Sequence, residues 1–190
     1  MYERVIKRLL DIVLSLAGIA VLAVPMLIIS LAIKLGSPGP VFFRQKRFGI
    51  HKSFFNILKF RTMRTDTPKD VPTHMLADPA KWITRTGAFL RKTSLDELPQ
   101  LFNVLLGDMS LVGPRPPVPA EVRAYTLEDR KRLNAIPGIT GPWQVSGRSD
   151  IPFHRQVQLD KDYIRSHSLW NDVKILLKTV PAILSGRGAY

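Results

Sequence analysis

Two adjacent carboxylates, Asp96 and Glu97, open an apolar helical pattern in Ser94-Leu95-Asp96-Glu97-Leu98-Pro99-Gln100, inside a chain that is otherwise strongly basic. Arg85, Arg91 and Arg115 flank them in sequence. Acids set among arginines suit chemistry on an anionic substrate, because a carboxylate can attack phosphorus and form a covalent intermediate. Asp96 can also take Mg²⁺, an ion that binds through one or two carboxylates together with substrate phosphates. A helix N-terminus and Arg91 are both expected to depress the Asp96 pKa and keep it ionised, with Glu97 as a neighbouring base. The segment also has a purely structural reading. Ser94-x-x-Glu97 fits a capping box in which Glu97 bonds back to the Ser94 amide, and Asp96 then only complements the helix dipole. Pro99 weighs against that box, since it would fall inside the helix, where its missing N–H leaves a carbonyl unpaired. With Asp96 as the cap, Pro99 falls in the tolerated first turn and Glu97 is free to point elsewhere. Composition alone leaves either carboxylate as the nucleophile.

Three cationic segments are candidates to hold phosphate. Gly113-Pro114-Arg115-Pro116 sets Arg115 between two prolines, which restrict the backbone on both sides and preorganise a bidentate guanidinium. Gln144-Val145-Ser146-Gly147-Arg148-Ser149 offers Arg148 on a glycine-containing loop, and Lys59-Phe60-Arg61-Thr62-Met63 places Lys59 and Arg61 at the end of a strand. Each alone reads equally as solvated surface charge.

The elements that must position these residues begin with a membrane segment. Residues 12–33 are 22 consecutive positions without a charge, about 33 Å as a helix and enough to cross a bilayer core. A cleaved signal peptide is the alternative, but the apolar run is long for one and no Ala-x-Ala site closes it. Arg4, Lys7 and Arg8 precede the segment, and Lys34, Arg44, Lys46 and Arg47 follow it. Basic flanks on both sides, with Pro25 in the middle, point to a kinked helix that enters and returns through one leaflet rather than a span with a charge bias; a kinked ordinary span is the alternative. The net charge of +13, from 28 Lys and Arg against 15 acids, points to polyanionic partners. No cysteine is present, which excludes disulfides, thiolate nucleophiles and cysteine-ligated metals. His51, His74, His154 and His167 make no His-x-x-x-His pair.

The resulting expectation is an α+β, mostly helical single domain with a short β-hairpin: residues 1–35 form the re-entrant membrane helix and 36–190 the catalytic domain. Gly36-Ser37-Pro38-Gly39-Pro40 marks the exit from the membrane. Segments 41–47 and 53–60 read as the hairpin, 65–79 as a surface loop and 82–90 as a short helix. Apolar spacing from Leu95 predicts a helix closed by Gly107. Segment 111–119, with Pro114, Pro116, Pro117 and Pro119, reads as a rigid loop, 121–135 as a charged amphipathic helix, 137–149 as a turn-rich loop and 157–164 as a helix. A last helix over 169–184 sets Trp170, Val173, Leu177, Val180 and Leu184 on one stripe, either core-packed or lying in the headgroups.

Together these segments resemble the bacterial monotopic phosphoglycosyl transferases, which move a sugar phosphate onto polyprenyl phosphate. The resemblance covers nearly the whole chain, in order: the basic start and kinked membrane segment, Gly36-Ser37-Pro38-Gly39-Pro40-Val41-Phe42-Phe43, the Lys59 segment, the Asp96–Glu97 segment, Gly113-Pro114-Arg115-Pro116, Pro137-Gly138-Ile139-Thr140-Gly141, and Gly147-Arg148. It implies that Asp96 attacks the β-phosphate of a UDP-sugar, releasing UMP. Polyprenyl phosphate then attacks the phosphosugar–Asp intermediate, with Glu97 as base. Mg²⁺ would sit beside Asp96, and Arg91, Arg115 and Arg148, with Lys59 and Arg61, would bind substrate. The implied location is the cytoplasmic face of a bacterial inner membrane, at the first membrane step of surface-glycan assembly. Val24 departs from the pattern, since some relatives carry a serine before the membrane proline. Trp143 to Ser149 and the ending Gly188-Ala189-Tyr190 resemble the larger members, which carry extra spans and a further domain and often use UDP-glucose or UDP-galactose.

Two other activities compete: a glycosyltransferase that moves only the sugar and releases UDP, and a basic membrane-anchored protein that binds anionic lipid or nucleotide without catalysis. Nucleic acid is not expected as a partner, because the arginines cluster around acids that would repel a phosphate backbone. A homodimer is admissible, and no residue in the sequence names the sugar.

Overall fold

The computed structural model describes residues 2–68 and 78–185. Most of the expected 65–79 loop and the Gly188-Ala189-Tyr190 ending lie outside them. After π-type turns over Tyr2–Lys7, helix α1 runs unbroken over Arg8–Gly36, through Pro25. It is long and apolar enough to cross a membrane by length and composition. Its uniform hydropathy conceals an inner face. Asp11, Ser15, Met26 and Ile33 are buried, and Ile19, Leu22 and Ile29 pack beside them at helical spacing. Val13, Leu16, Val21 and Leu27 on the other side are exposed.

The hairpin forms from β1 (Phe42–Phe48) and β2 (Phe54–Phe60), antiparallel with Phe42 opposite Phe60 and Phe48 opposite Phe54. Phe60 joins Met26, Ile33 and Leu90 in one core cluster, so the hairpin root, α1 and α2 share a core. Helix α2 spans Arg85–Thr93, three residues later than its periodicity predicts. Thr84 fixes the start by accepting from the Gly87 amide at 2.9 Å, while Ile83 is drawn into an extended bridge with Met63. Helix α3 spans Gln100–Leu106 and ends at Gly107, whose φ of 96° suits the left-handed cap.

Two departures concern loops. The proline-rich segment begins as a strand, β3 (Ser110–Val112), paired in parallel with β4 (Gly138–Thr140). Strands of three residues drawn from distant segments leave no periodic trace. The signature is instead close backbone approach: a Cβ on Gly138 would lie 2.1 Å from the Gly113 nitrogen. The second is the expected helix over 121–135, which breaks into α4 (Pro119–Arg123) and a 3₁₀ turn over Asp129–Asn134. Thr126 and Asp129 cap each other reciprocally, amide to side chain at 2.9 and 3.2 Å, and restart the chain between them. Helices α5 (Phe153–Ser166) and α6 (Leu169–Leu184) complete the domain. On α6 the packed residues are Asp172 and Ile175, while Trp170, Leu177, Val180 and Leu184 are exposed. The stripe read as either core or interfacial is therefore an outward apolar face.

Candidate active site

Asp96 and Glu97 lie in the turn between α2 and α3. Ser94 adopts φ 58° and stops α2, and its amide bonds back to the Arg91 carbonyl. A single 3₁₀ turn, Leu95–Glu97, follows, and Pro99 caps α3 at φ −62°. Leu95 and Leu98 pack against the Phe60–Leu90 cluster, which turns the two acids the other way. The capping box does not form. The Ser94 side chain makes no cap bond; its hydroxyl instead accepts from Arg148 Nη2 at 3.3 Å.

Glu97 is the anchored acid. Lys59 Nζ donates to Glu97 Oε1 at 2.5 Å, and Arg115 Nη1 lies 3.6 Å from the same oxygen. Burial opposes its charge, but Lys59 first, then Arg115 and Arg47, outweigh it and hold the Glu97 carboxyl below the ordinary range. Asp96 is half-buried, and among the described residues no hydrogen bond or ion pair holds its carboxylate. Desolvation therefore prevails. It pushes the Asp96 carboxyl up to about 6, helped by the Glu97 charge and only partly countered by Lys59, Arg91 and Arg115. This corrects the expectation that helix dipole and Arg91 depress it.

The Arg115 loop is stitched from both sides. Gly138 N donates to Pro114 O at 2.9 Å, Arg47 Nη1 to Pro116 O at 2.9 Å, and Phe48 N to Pro117 O at 3.1 Å. Arg47 is buried and also donates to Gln45 Oε1 at 2.7 Å. Burial, then the repulsion of Arg115, lowers its pKa to about 10, so it stays charged. In the sequence Arg47 stands only among the cations that flank the membrane segment. The one available signal was strand alternation, which places it on the same hairpin face as Lys59.

The structure thus brings Lys59, Arg115, Asp96 and Glu97 together, with Arg91 close enough to act on Asp96 electrostatically and Arg148 against Ser94. Arg61 does not join them. It is buried, and its guanidinium donates to Ser37 O at 2.9 Å and Pro38 O at 2.7 Å, at the exit of α1. That is a correction to its expected place among the substrate-binding residues. Among the described residues no three His, Asp or Glu side chains converge on a metal position. Asp96 by itself fits a cation that substrate phosphates help to hold, since its carboxylate has no competing partner among the described residues.

The family model that this chain matches is described as bacterial sugar transferase, over residues 2–186. The chain is 47% identical to the UDP-glucose:undecaprenyl-phosphate glucose-1-phosphate transferase of Caulobacter vibrioides, over 97% of this chain and 72% of that protein. It is 42% identical to the undecaprenyl-phosphate galactose phosphotransferase of Salmonella typhimurium, over 99% of this chain and 42% of that one. An uncharacterized sugar transferase of Haemophilus influenzae is 43% identical, over 99% of this chain and 43% of its own length. The chain therefore spans less than half the length of the latter two relatives.

Proposed function

This chain belongs to the bacterial sugar transferase family, and from that premise we propose that it transfers a sugar 1-phosphate from a UDP-sugar to polyprenyl phosphate and releases UMP. The supporting observation is the asymmetry of the acid pair: Glu97 is held by Lys59 and Arg115, while Asp96 beside it is desolvated and, among the described residues, unpaired.

In the first half-reaction an Asp96 carboxylate oxygen bonds to the β-phosphorus. The bond from that phosphorus to the bridging oxygen breaks, and UMP leaves with the electron pair. In the second, an oxygen of polyprenyl phosphate bonds to the same phosphorus, and the acyl phosphate bond breaks to free Asp96. Arg115, on its braced loop, grips diphosphate together with Arg91 and Arg148. Glu97 first serves to hold Lys59 and Arg115 in place. It accepts the proton of the incoming lipid phosphate once the substrate's charge draws those cations away. Mg²⁺, held by Asp96 and substrate phosphate, would offset diphosphate charge.

Both ends of α1 are packed on the same domain, Arg8 donating to Val104 O and Leu105 O and Ile33 lying in the Phe60–Leu90 core. A straight span would carry one end about 30 Å away, across the bilayer. This supports a helix that stays with one leaflet, and the net charge of +13 favours the cytoplasmic face of the membrane for the domain. The names of the relatives favour glucose or galactose as the sugar.

The test is nucleotide release by detergent-purified protein with Mg²⁺, polyprenyl phosphate and a panel of UDP-sugars. UMP with one donor, absent for Asp96→Ala, is the expected result. UDP would mean simple glycosyl transfer, and no release with intact nucleotide binding would leave a membrane-anchored binder. Glu97→Ala should also lose turnover while retaining a trapped phosphosugar on Asp96; in the wild type or in Asp96→Ala, an adduct found on Glu97 would reverse the two roles.

A further inference from the structure

The two cations that hold Glu97 come from segments far apart in sequence, and each leads back to a different end of α1. At the N-terminal end, Asp11 is buried and its Oδ1 accepts from Leu111 N at 2.9 Å and Ser110 Oγ at 3.1 Å. Lys7 forms a buried ion pair with Asp172 of α6. Tyr163 Oη donates to Asp172 Oδ1 at 2.6 Å and lies 3.3 Å from Val112 O. Helix α1 therefore reaches an amide and a side-chain hydroxyl of β3, the strand that runs directly into Gly113-Pro114-Arg115, while Lys7, in the turns just before α1, ties the same end to Asp172. At the C-terminal end, Ile33 packs with Phe60, and the α1 exit carbonyls of Ser37 and Pro38 receive the Arg61 guanidinium. Phe60 and Arg61 immediately follow Lys59.

We propose that α1 is a strut as well as an anchor: its N-terminal end positions Arg115 through Asp11 and β3, and its C-terminal end positions Lys59 through Phe60 and Arg61. Asp11 is the positioning residue of this arrangement and touches no substrate. A bare anchor needs no buried acid, and an unpaired one would be costly inside a protein. Here the acid is spent on a strand amide four residues before Arg115.

The inference rests on the proposed phosphosugar transfer for its kinetic arm only; its structural arm is independent. The experiment compares Asp11→Ala, Asp11→Asn and Tyr163→Phe with the wild type, as full chains in lipid nanodiscs. Amide hydrogen exchange is read over 110–117 and over 54–61, alongside turnover. For Asp11→Ala we expect exchange over 110–117 to rise about tenfold with 54–61 unchanged, and kcat to fall about tenfold with KM changed less than threefold. Asp11→Asn keeps an acceptor oxygen and should restore both. Tyr163→Phe removes only a hydroxyl, so it keeps the test open if Asp11→Ala fails to fold; it should show a smaller rise over 112–117. Exchange unchanged over 110–117, or raised equally in both segments, overturns the strut. A local rise with unaltered kcat overturns the positioning role. A wild type without UMP release defeats the proposed function, yet the exchange arm still decides whether α1 governs the Arg115 loop.

Discussion

Asp96 and Asp160 have nearly the same titration and opposite circumstances. Burial pushes each carboxyl up to about 6, against the pull of neighbouring cations. Asp160 is wholly inside and closed: Arg132 forms an ion pair with it, and the same arginine donates to Tyr125 Oη at 3.1 Å, tying the Asp129–Asn134 turn to α5. Asp96 is half-buried and open, with cations near it and, among the described residues, none on it. A perturbed carboxylate therefore does not by itself mark chemistry. A missing partner combined with access does, because only such a group can exchange solvent for substrate.

The largest test of that contrast is a pair of substitutions. Asp96→Asn should lower turnover by about a thousandfold or more and leave the thermal midpoint unchanged or raised, since it removes an unpaired desolvated charge. Asp160→Ala should do the reverse. Stranding Arg132 costs about 3–5 kcal/mol, read by chemical denaturation, while activity per folded molecule persists. If Asp160→Ala instead removed activity without loss of stability, the distinction between the clusters would fail.

Next comes Arg115→Ala, which should reduce kcat/KM by about a hundredfold with little change in stability, because the loop is held by backbone carbonyls and not by the Arg115 side chain. A smaller sharpening comes from pH. Asp96 must be ionised to attack, so kcat/KM should fall as the pH drops through about 6. For Asp160 the folded value is raised above the ordinary 3.8 to about 6. Its contribution to stability is thus fully present below 3.8 and lost as the pH rises through about 6. Measured as wild type against Asp160→Asn, stability should shift toward the wild type between pH 6 and pH 4, on the order of 1 kcal/mol per pH unit, while activity declines over the same window. The smallest effect belongs to Leu177→Ser on the exposed face of α6: less than about 0.5 kcal/mol in stability, and no change at either acid. Its expected consequence is weaker retention on liposomes in flotation.

Local patterns carried most of the architecture. The hairpin, α1, α5 and α6 were legible because period-2 and helical spacing are written within single segments. The Asp96–Glu97 turn was legible only in part: apolar spacing from Leu95 predicted a continuous helix, whereas Ser94 at φ 58° and Pro99 as N-cap leave a 3₁₀ turn over Leu95–Glu97 and start α3 at Gln100. The β3–β4 pair and the break after α4 were not. One depends on two three-residue strands meeting across the chain, the other on a reciprocal cap between Thr126 and Asp129 that competes with a helical charge pattern. Arg61 was misplaced because Lys59 and Arg61 look equivalent in sequence; β2 ends at Phe60, and the next residue turns to the α1 exit.

The sequence by itself determined that this chain is a basic protein with a long apolar helix and an acid pair at a helix start, ordered as in bacterial sugar transferases. Which acid is paired and which is exposed to chemistry was decided only by the tertiary structure. Residue type fixes the charge a side chain can carry, but its pKa and partners depend on burial and on cations brought from β2 and the Arg115 loop. The face of α6 left without cover follows from the same cause, because a helical stripe is apolar in either setting and only packing selects the side that is buried.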